Sequence, residues 1–321
     1  PPMSGISGKI TLWGVEVFVA AAEEASISAA ARRLNTSPAT VSQQLTNLEA
    51  ALGSTLLDRG ARPVALTPAG EMFLRRANVI LSEAEQARSE LTMADLTRMT
   101  RLRLGIIEDF DADVTPRLLG QMADQLSNCR FLLETGPSHR LHDLLDNRAL
   151  DMVVAADIGL SDPGLEMHAL MHEPFVAAAP KGLIGSDPQA ILPDLPLIQY
   201  TTRHHMGQQI AAHLARENLT PSRRFELDSY HAIMAMVAGG AGWTILTPMG
   251  WLRAQRFRHA VDVCPLPFEG FGRSITLVAR RGMLQGIPAK TAAALRPLIA
   301  ELIVAPAVSE LPWLEGQIRL A

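Results

Sequence analysis

The stretch that decides the fold of the first domain is ASISAAARRLNTSPATVSQQL, residues 25–45. It predicts two short helices separated by a turn, with Ser37 as the cap of the second helix and Pro38 in its first turn. The second helix is expected to run to about Leu52 and to end at Gly53, where a left-handed residue is commonly required. Two helices joined by a short turn, the second polar on one face, form a helix-turn-helix.

The polar face of the second helix has the side chains that read base edges. Gln, Ser and Thr can hydrogen-bond base edges in a major groove, and Ala can contact a thymine methyl. Residues 25–76 hold six arginines and three carboxylates, a local charge of +3 in a chain of −4. An ordinary three-helix domain with a solvated polar face is the alternative. The residues predicted to contact DNA are Arg32, Ser37, Pro38, Ala39, Thr40, Ser42, Gln43, Thr46, Arg59 and Arg62.

Composition limits the rest of the chain. A length of 321 residues is enough for about two domains, and 48% apolar with 19% charged residues excludes a disordered protein. Two cysteines exclude a disulfide framework and favour a reducing compartment. The first nine residues lack the apolar core of a signal peptide, so a cytoplasmic protein is expected.

One segment, Ala232–Leu252, is 21 residues long without a charge, which is enough to cross a bilayer. Its glycines at 239, 240 and 242 instead predict a buried helix, a turn and a buried strand, so no membrane partner is expected.

A long helix is predicted to follow the helix-turn-helix. Thr67 is placed as its cap and Pro68 in its first turn. Apolar residues recur along it at spacings of four and three, which is the pattern of a coiled-coil seam. We expect this seam to pair two chains; a helix lying on its own domain is the alternative. The seam residues are Phe73, Ala77, Ile80, Ala84, Ala87, Leu91 and Ala94.

After Thr100 the pattern alternates between strands and helices. Strands are predicted at 102–107, 131–134, 152–156, 175–179, 197–200, 224–227, 243–246 and 274–279. Helices are predicted at 114–126, 141–150, 208–216, 231–238 and 289–303. Such alternation favours two α/β lobes with a crevice between them.

The ordered motifs of the first seventy residues resemble those of the LysR-type transcriptional regulators. They comprise 25–34, 37–45, Leu48-Glu49, Leu52-Gly53, Leu56-Leu57-Asp-Arg59 and Leu66-Thr-Pro-Ala-Gly70. A looser similarity continues at Leu104-Gly105, at Leu141 to Asp151 and at Val237–Gly242. Leu57 departs from the pattern, where the family usually has Phe.

The resemblance implies a winged helix-turn-helix, a linker helix, and a two-lobed, Rossmann-like effector domain of the type 2 periplasmic-binding-protein class. The expected boundaries are 9–66 for the winged helix, 67–98 for the linker and 101–304 for the effector domain. Its lobe 1 would comprise 101–160 and 269–304, lobe 2 would comprise 161–268, and a tail would occupy 305–321. The resemblance also implies dimers of dimers on interrupted palindromes in double-stranded promoter DNA, with RNA polymerase a candidate partner. Effector binding would then change the tetramer geometry and the bending of the DNA.

Four loops are expected to line the effector cleft, since ligands bind near strand ends and helix N-termini. The loop at 107–113 carries four carboxylates, which either cap the next helix or meet a cationic group. Arg203 and His204 are placed to hold a carboxylate, so the effector is expected to be a zwitterion, a cation or a carboxylate. The predicted effector contacts are Asp109, Phe110, Asp111, Ser138, Thr201, Arg203, His204, Tyr230 and Thr247.

Other chemistries are weaker interpretations. No two of His139, His142, His204, His205 and His231 have the i, i+4 spacing of a helical zinc motif, so no metal site is predicted. Cys129 and Cys264 could form a redox switch, although inert thiols fit their surroundings better. The chain has neither a Gly-rich phosphate loop nor a nucleophile elbow, so no catalytic residue and no cofactor are expected. A stand-alone solute-binding protein would leave the first hundred residues unexplained.

Overall fold

The computed structural model describes residues 9–91, 99–159, 162–185 and 195–321. The chain divides into two compact units. One comprises Pro1–Asp95 with Asp146–Ala149, and the other comprises Leu96–Leu145 with Leu150–Ala321.

The first unit is a helical domain with a two-stranded hairpin. Side-chain caps begin its helices: the Ser37 hydroxyl accepts a hydrogen bond from the Thr40 amide at 3.1 Å, as predicted from the sequence. Gly53 ends that helix in the left-handed conformation, at φ 66°. The elements of this unit are α1 Leu12–Glu24, α2 Ile27–Arg33, α3 Pro38–Leu52, β1 Leu57–Asp58, β2 Ala65–Leu66 and α4 Pro68–Leu91.

The hairpin β1–β2 is held against the start of α4. The Thr67 hydroxyl accepts from the Gly70 amide at 3.0 Å and donates to the Thr55 carbonyl at 2.7 Å. A Cβ at Gly70 would lie 2.0 Å from the Leu56 carbonyl oxygen. Only glycine therefore lets this helix begin so close to the strand.

The seam predicted along α4 is divided between two roles. Phe73 packs on Phe18 with ring centroids 5.3 Å apart, and Ala77 is fully buried in the core of its own domain. Further along, Ile80 is 36% exposed and Ala87 is exposed. For Phe73 and Ala77, the helix therefore lies on its own domain, which was the alternative to a seam between two chains. The side chain of Leu91, together with Ala94, lies outside the described residues.

The second unit contains two lobes, each built on a sheet. Its elements are β3 Arg101–Ile107, α5 Val114–Gln125, β4 Arg130–Gly136, α6 Ser138–Asp146, β5 Met152–Ala156, β6 Leu165–Pro174, β7 Val176–Pro180, β8 Leu197–Tyr200, α7 His205–Arg216, β9 Arg223–Leu227, α8 Tyr230–Ala238, β10 Thr244–Leu246, α9 Pro248–Arg253, β11 Val261–Pro265, β12 Gly272–Arg280, α10 Ile287–Ile299, α11 Ala305–Glu310 and β13 Arg319–Leu320.

Lobe 1 is a six-stranded sheet in the order β13-β6-β12-β5-β3-β4. The strands β4, β3 and β5 are parallel, whereas β12, β6 and β13 are antiparallel to their neighbours. Lobe 2 combines a three-stranded sheet, β10-β7-β11, with the parallel pair β8-β9. One bridge between Leu197 and Trp243 connects these two parts. The segment tested for membrane insertion forms α8, a glycine turn and β10, as the sequence indicated.

The lobe boundary predicted at residue 161 is wrong. Residues Leu165–Pro174 form β6, which lies inside the sheet of lobe 1, so the chain enters lobe 2 only after Pro174. It returns at Gly272, near the expected position of 269. Apolar and polar residues alternate over 165–169, a strand signal that the prediction missed, and the strand pairs along nearly its whole length with β12.

The tail at 305–321 packs on its own effector domain. Its side chains Ala307 and Leu314 are fully buried, and Arg319–Leu320 adds an edge strand to β6. Among the described residues, Ile287–Glu310 is the one helical run that is long and apolar enough for a membrane span. Leu295 and Ile299 in this run are fully buried in the core, which is the environment of a packed helix.

Candidate functional sites: the recognition helix and the interlobe cleft

The ten residues predicted to contact DNA all lie at the surface of the first unit. Six of them belong to α3. This helix buries Val41, Leu45 and Leu48, and it leaves Ala39 and Gln43 exposed. Thr40 and Ser42 are half-buried, and the remaining residues, Arg32, Ser37, Pro38, Thr46, Arg59 and Arg62, are exposed. The polar face therefore lies open on one side of the helix, as reading a major groove requires.

Several of these side chains already have partners. The Gln43 amide donates to Asn47 Oδ1 at 2.9 Å, and the Thr46 hydroxyl donates to the Ser42 carbonyl at 2.9 Å. Arg59 donates to Thr46 Oγ1 at 3.2 Å and forms an ion pair with Glu49 at 2.5 Å. Arg59 therefore joins the hairpin to the recognition helix, a role that sequence reasoning did not predict.

In the second unit, one cavity lies where β3, α6, α7 and β12 converge between the lobes. Its volume is about 60 Å³, equal to that of about two water molecules in the liquid. Four of the predicted effector contacts line it: Asp109, Ser138, His204 and Tyr230. It is further lined by Ile107, Glu108, Gly136, Pro137, His139, Ala156, Tyr200, His205, Met206, Gln209, Asp228 and Arg273.

The other five predicted contacts do not line this cavity. Phe110 is fully buried in the hydrophobic core. Asp111 forms an ion pair with Arg253 at 3.0 Å. Thr201 is 1% exposed, and its hydroxyl donates to Glu226 Oε1 at 2.8 Å.

Arg203 and Thr247 serve local structure instead. The Arg203 side chain is exposed and donates to the Thr201 hydroxyl at 3.4 Å. The fully buried Thr247 caps α9 by accepting from the Gly250 amide at 3.2 Å. The carboxylate grip assigned to Arg203 on sequence grounds therefore has no support in the cavity.

A buried charge cluster forms the base of the cleft. Arg273 Nε donates to Glu173 Oε1 at 2.8 Å, and its Nη2 donates to Asp109 Oδ2 at 3.2 Å. The amide of Met249 donates to Glu173 Oε2 at 3.1 Å. Burial raises the pKa of Glu173, partly opposed by Arg273, while the two carboxylates keep the Arg273 guanidinium charged.

This cluster lies at both interlobe crossings, the points where the chain passes from lobe 1 to lobe 2 and where it returns. Glu173 stands directly before the chain leaves lobe 1, and Arg273 stands directly after its return, with the two residues paired across β6 and β12. A Cβ at Gly272 would lie 2.6 Å from the Glu173 carbonyl oxygen, so the two crossing strands approach closely only with glycine there. Sequence reasoning missed both charges; an arginine opening a strand that is otherwise apolar was the available signal.

Burial favours the neutral form of two histidines of the cleft, His204 and His205. Burial lowers the pKa of His204, with a smaller contribution from His139, and lowers that of His205, with a smaller contribution from His142. The His139 and His204 rings pack with centroids 5.0 Å apart. Across the described ranges, no three His, Cys, Asp or Glu side chains are arranged to hold a metal ion.

Both cysteines are free and neither lines the cavity. Burial, with a smaller contribution from Asp262, raises the pKa of Cys264 to about 11. Burial and the nearby Asp151 carboxylate raise that of Cys129. Since the thiolate is the reactive form, both environments disfavour thiol chemistry.

Similarity to known proteins agrees with this architecture. A relative from Mycobacterium avium, named as a probable hydrogen peroxide-inducible genes activator, is 30% identical over 278 residues, 84% of this chain and 88% of that protein. A substituted full-length OxyR from Pseudomonas aeruginosa has a TM-score of 0.69 at 23% identity, covering 90% of this chain and 95% of that one. The regulator CbnR, solved in complex with its target DNA, has a TM-score of 0.57 at 20% identity, covering 90% of this chain and all of that one.

Two family descriptions match the two units. Residues 12–71 match the bacterial regulatory helix-turn-helix protein of the lysR family, and residues 97–297 match the LysR substrate binding domain. Members of this family are transcriptional regulators that bind DNA and small-molecule effectors, and they are not enzymes. With an exposed recognition helix in one unit and an interlobe cleft in the other, the chain belongs to the LysR family of DNA-binding transcriptional regulators.

Proposed function

We propose that this regulator binds an interrupted palindrome at a promoter as a dimer of dimers. A small effector in the interlobe cleft changes the geometry of that assembly and the bending of its DNA. The observation that carries the proposal is the cleft itself, whose base is the ion pair at both interlobe crossings. A ligand that binds there contacts both lobes and shifts the equilibrium between their arrangements.

For the DNA contacts, we propose that Gln43 and Thr46 read base edges, with Ala39 able to meet a thymine methyl. They are exposed on the same face of α3. The proposed phosphate contacts are Arg32, Arg62 and the Ser37–Pro38 helix start, all of which are exposed. The domain boundaries stay as proposed at 9–66 and 67–98, with the effector domain now extending through the packed tail. Such a protein acts in the cytoplasm, where the DNA lies.

The experiment selects operator sites from genomic fragments and measures affinity for the selected site and for random DNA. Gln43→Ala and Thr46→Ala should each lose about 1–3 kcal/mol of discrimination per lost base contact. The matched control is Ser54→Ala, an exposed residue beyond the end of α3. Equal losses on both DNAs would remove these residues from base reading. Footprints with and without ligand test the change in geometry.

Peroxide sensing through a thiol is the second candidate, because of the name of the mycobacterial relative. The placement of Cys129 and Cys264 away from the cleft, with raised pKa values, argues against it. The double variant Cys129→Ala/Cys264→Ala distinguishes the two functions. Loss of a peroxide response in this variant would favour the thiol mechanism over the ligand mechanism.

A further inference from the structure

The buried cluster at the base of the cleft carries an excess negative charge. Arg273 is matched by two carboxylates, Glu173 at 0% and Asp109 at 8% exposure. With both carboxylates ionised, one negative charge is left uncompensated in a desolvated site, which is costly unless a cation or a proton neutralises it.

The surplus charge faces the cavity through Asp109. Its Oδ2 accepts from Arg273, whereas its buried Oδ1 has no hydrogen-bond partner. Glu173, by contrast, has both oxygens satisfied, by Arg273 and by the Met249 amide. Asp109 and Arg273 both line the cavity, and Asp109 is the one of the two carboxylates that retains an unused acceptor.

The remaining walls suit a cation. Glu108 and Asp228 add two exposed carboxylates to the lining. The rings of Tyr200 and Tyr230 pack 5.4 Å apart and supply aromatic faces of the kind that attract cations. Burial lowers the pKa of His204 and of His205. Arg273 donates to Glu173, Asp109 and Thr247 through Nε and Nη2, and its Nη1 lies 3.9 Å from the Met206 sulfur. The lining thus carries three carboxylates, Glu108, Asp109 and Asp228, against one arginine, Arg273.

We propose that the effector is a small cation, such as a short primary amine, whose ammonium group pairs with the Asp109 carboxylate. This inference rests on the proposed ligand-responsive function and names the ligand class of that cleft. The aromatic walls and the two outer carboxylates attract the cation, and the Glu173–Arg273 pair transmits its presence to the interlobe crossings.

The test uses the full-length protein and four probes of nearly equal size, measured by calorimetry. Ethanolamine is the cation, ethylene glycol its neutral isostere, glycolate the anion and glycine the zwitterion. Ethanolamine should bind at least about tenfold more tightly than ethylene glycol or glycolate, because charge attraction is strong in a desolvated site. The substitution Asp109→Asn should abolish that preference, and Asp113→Asn, an exposed aspartate of the same loop, should leave it unchanged.

Glycolate or ethylene glycol binding as tightly as ethanolamine would overturn the proposal. So would a preference for ethanolamine that survives Asp109→Asn, or the absence of binding by every probe at about 10 mM. If Asp109→Asn does not fold, the ranking of the probes on the natural chain decides alone. A neutral or anionic metabolite that changes operator affinity would overturn the cation but leave ligand-responsive regulation standing. If the chain binds the cation but no operator can be selected for it, the ligand class stands and the proposed regulatory function is overturned.

Discussion

Replacing Arg273 by methionine should destabilise the effector domain severely. The side chain is 6% exposed and bonds to Glu173 at 2.8 Å, to Asp109 at 3.2 Å and to Thr247 at 3.4 Å. The methionine would leave two carboxylates buried without their counter-ion. Breaking a buried pair in this way costs about 3–5 kcal/mol. For a domain of this size, 1 kcal/mol moves Tm by ~2–4 °C, so Tm should fall by about 6–20 °C.

The assay is thermal unfolding followed by tryptophan fluorescence, because three of the four tryptophans, Trp243, Trp251 and Trp313, belong to the effector unit. The double variant Arg273→Met/Glu173→Gln should recover at least half of the Tm loss, because it leaves one buried carboxylate, Asp109, without its counter-ion instead of two. Arg117→Met is the matched control. It breaks an exposed ion pair with Glu301 and should cost less than about 1 kcal/mol.

The Tm loss of Arg273→Met should also depend on pH, in a direction set by the protonation of the buried carboxylates. The pKa of Glu173 in the folded protein lies above its ordinary value of 4.5, and removing Arg273 raises it further. A carboxyl group whose pKa is higher in the folded than in the unfolded protein stabilises the fold most below its unfolded pKa. This contribution to stability is lost as the pH rises through the folded pKa. The deficit of Arg273→Met should therefore shrink as the pH falls towards 4.5. A Tm loss below about 3 °C, or a deficit that grows in acid, would refute the account of the cluster.

Three further predictions concern the rest of the chain. Arg62→Ala should lower the salt slope of binding to any DNA by about one, because Arg62 is exposed in the loop between β1 and β2. Arg59→Ala should instead reduce operator discrimination, since its guanidinium is engaged within the domain; equal salt slopes for the two variants would contradict this assignment. Ile80→Glu should weaken self-association in sedimentation without lowering the Tm of the first unit, because its side chain is 36% exposed; an unchanged association constant would remove Ile80 from the dimer surface. Cys129→Ala/Cys264→Ala should retain the response to effector; a lost response at unchanged stability would reinstate a thiol mechanism.

The features predictable from sequence are those specified by neighbours along the chain. Ser37 and Gly53 delimit α3 through local capping, so the recognition helix has the expected bounds. Asp109 was predicted because it directly follows a strand, where cleft residues occur in such folds. Both inferences needed only a few adjacent residues.

What escaped prediction depends on pairing across long separations. Glu173 and Arg273 meet because β6 and β12 pair in one register, with 100 residues between the two side chains. Strand β6 alternates apolar and polar residues over 165–169, which indicates a strand, but nothing nearby in the sequence indicates that it pairs with β12. Arg203 was misassigned because a sequence does not indicate on which side of a turn a side chain emerges.

The sheet order of lobe 1 has a consequence for the folding of this chain. Strand β12 lies between β5 and β6, so the sheet closes only after the whole of lobe 2 has been synthesised. Lobe 2 is continuous from Val176 to Pro265 and can form from contacts that are nearer in sequence. Because loop-closure entropy slows distant pairings, lobe 1 should be the later of the two to fold. Until then β5 has an unpaired edge, which makes this interval the time when the nascent chain most needs protection from aggregation.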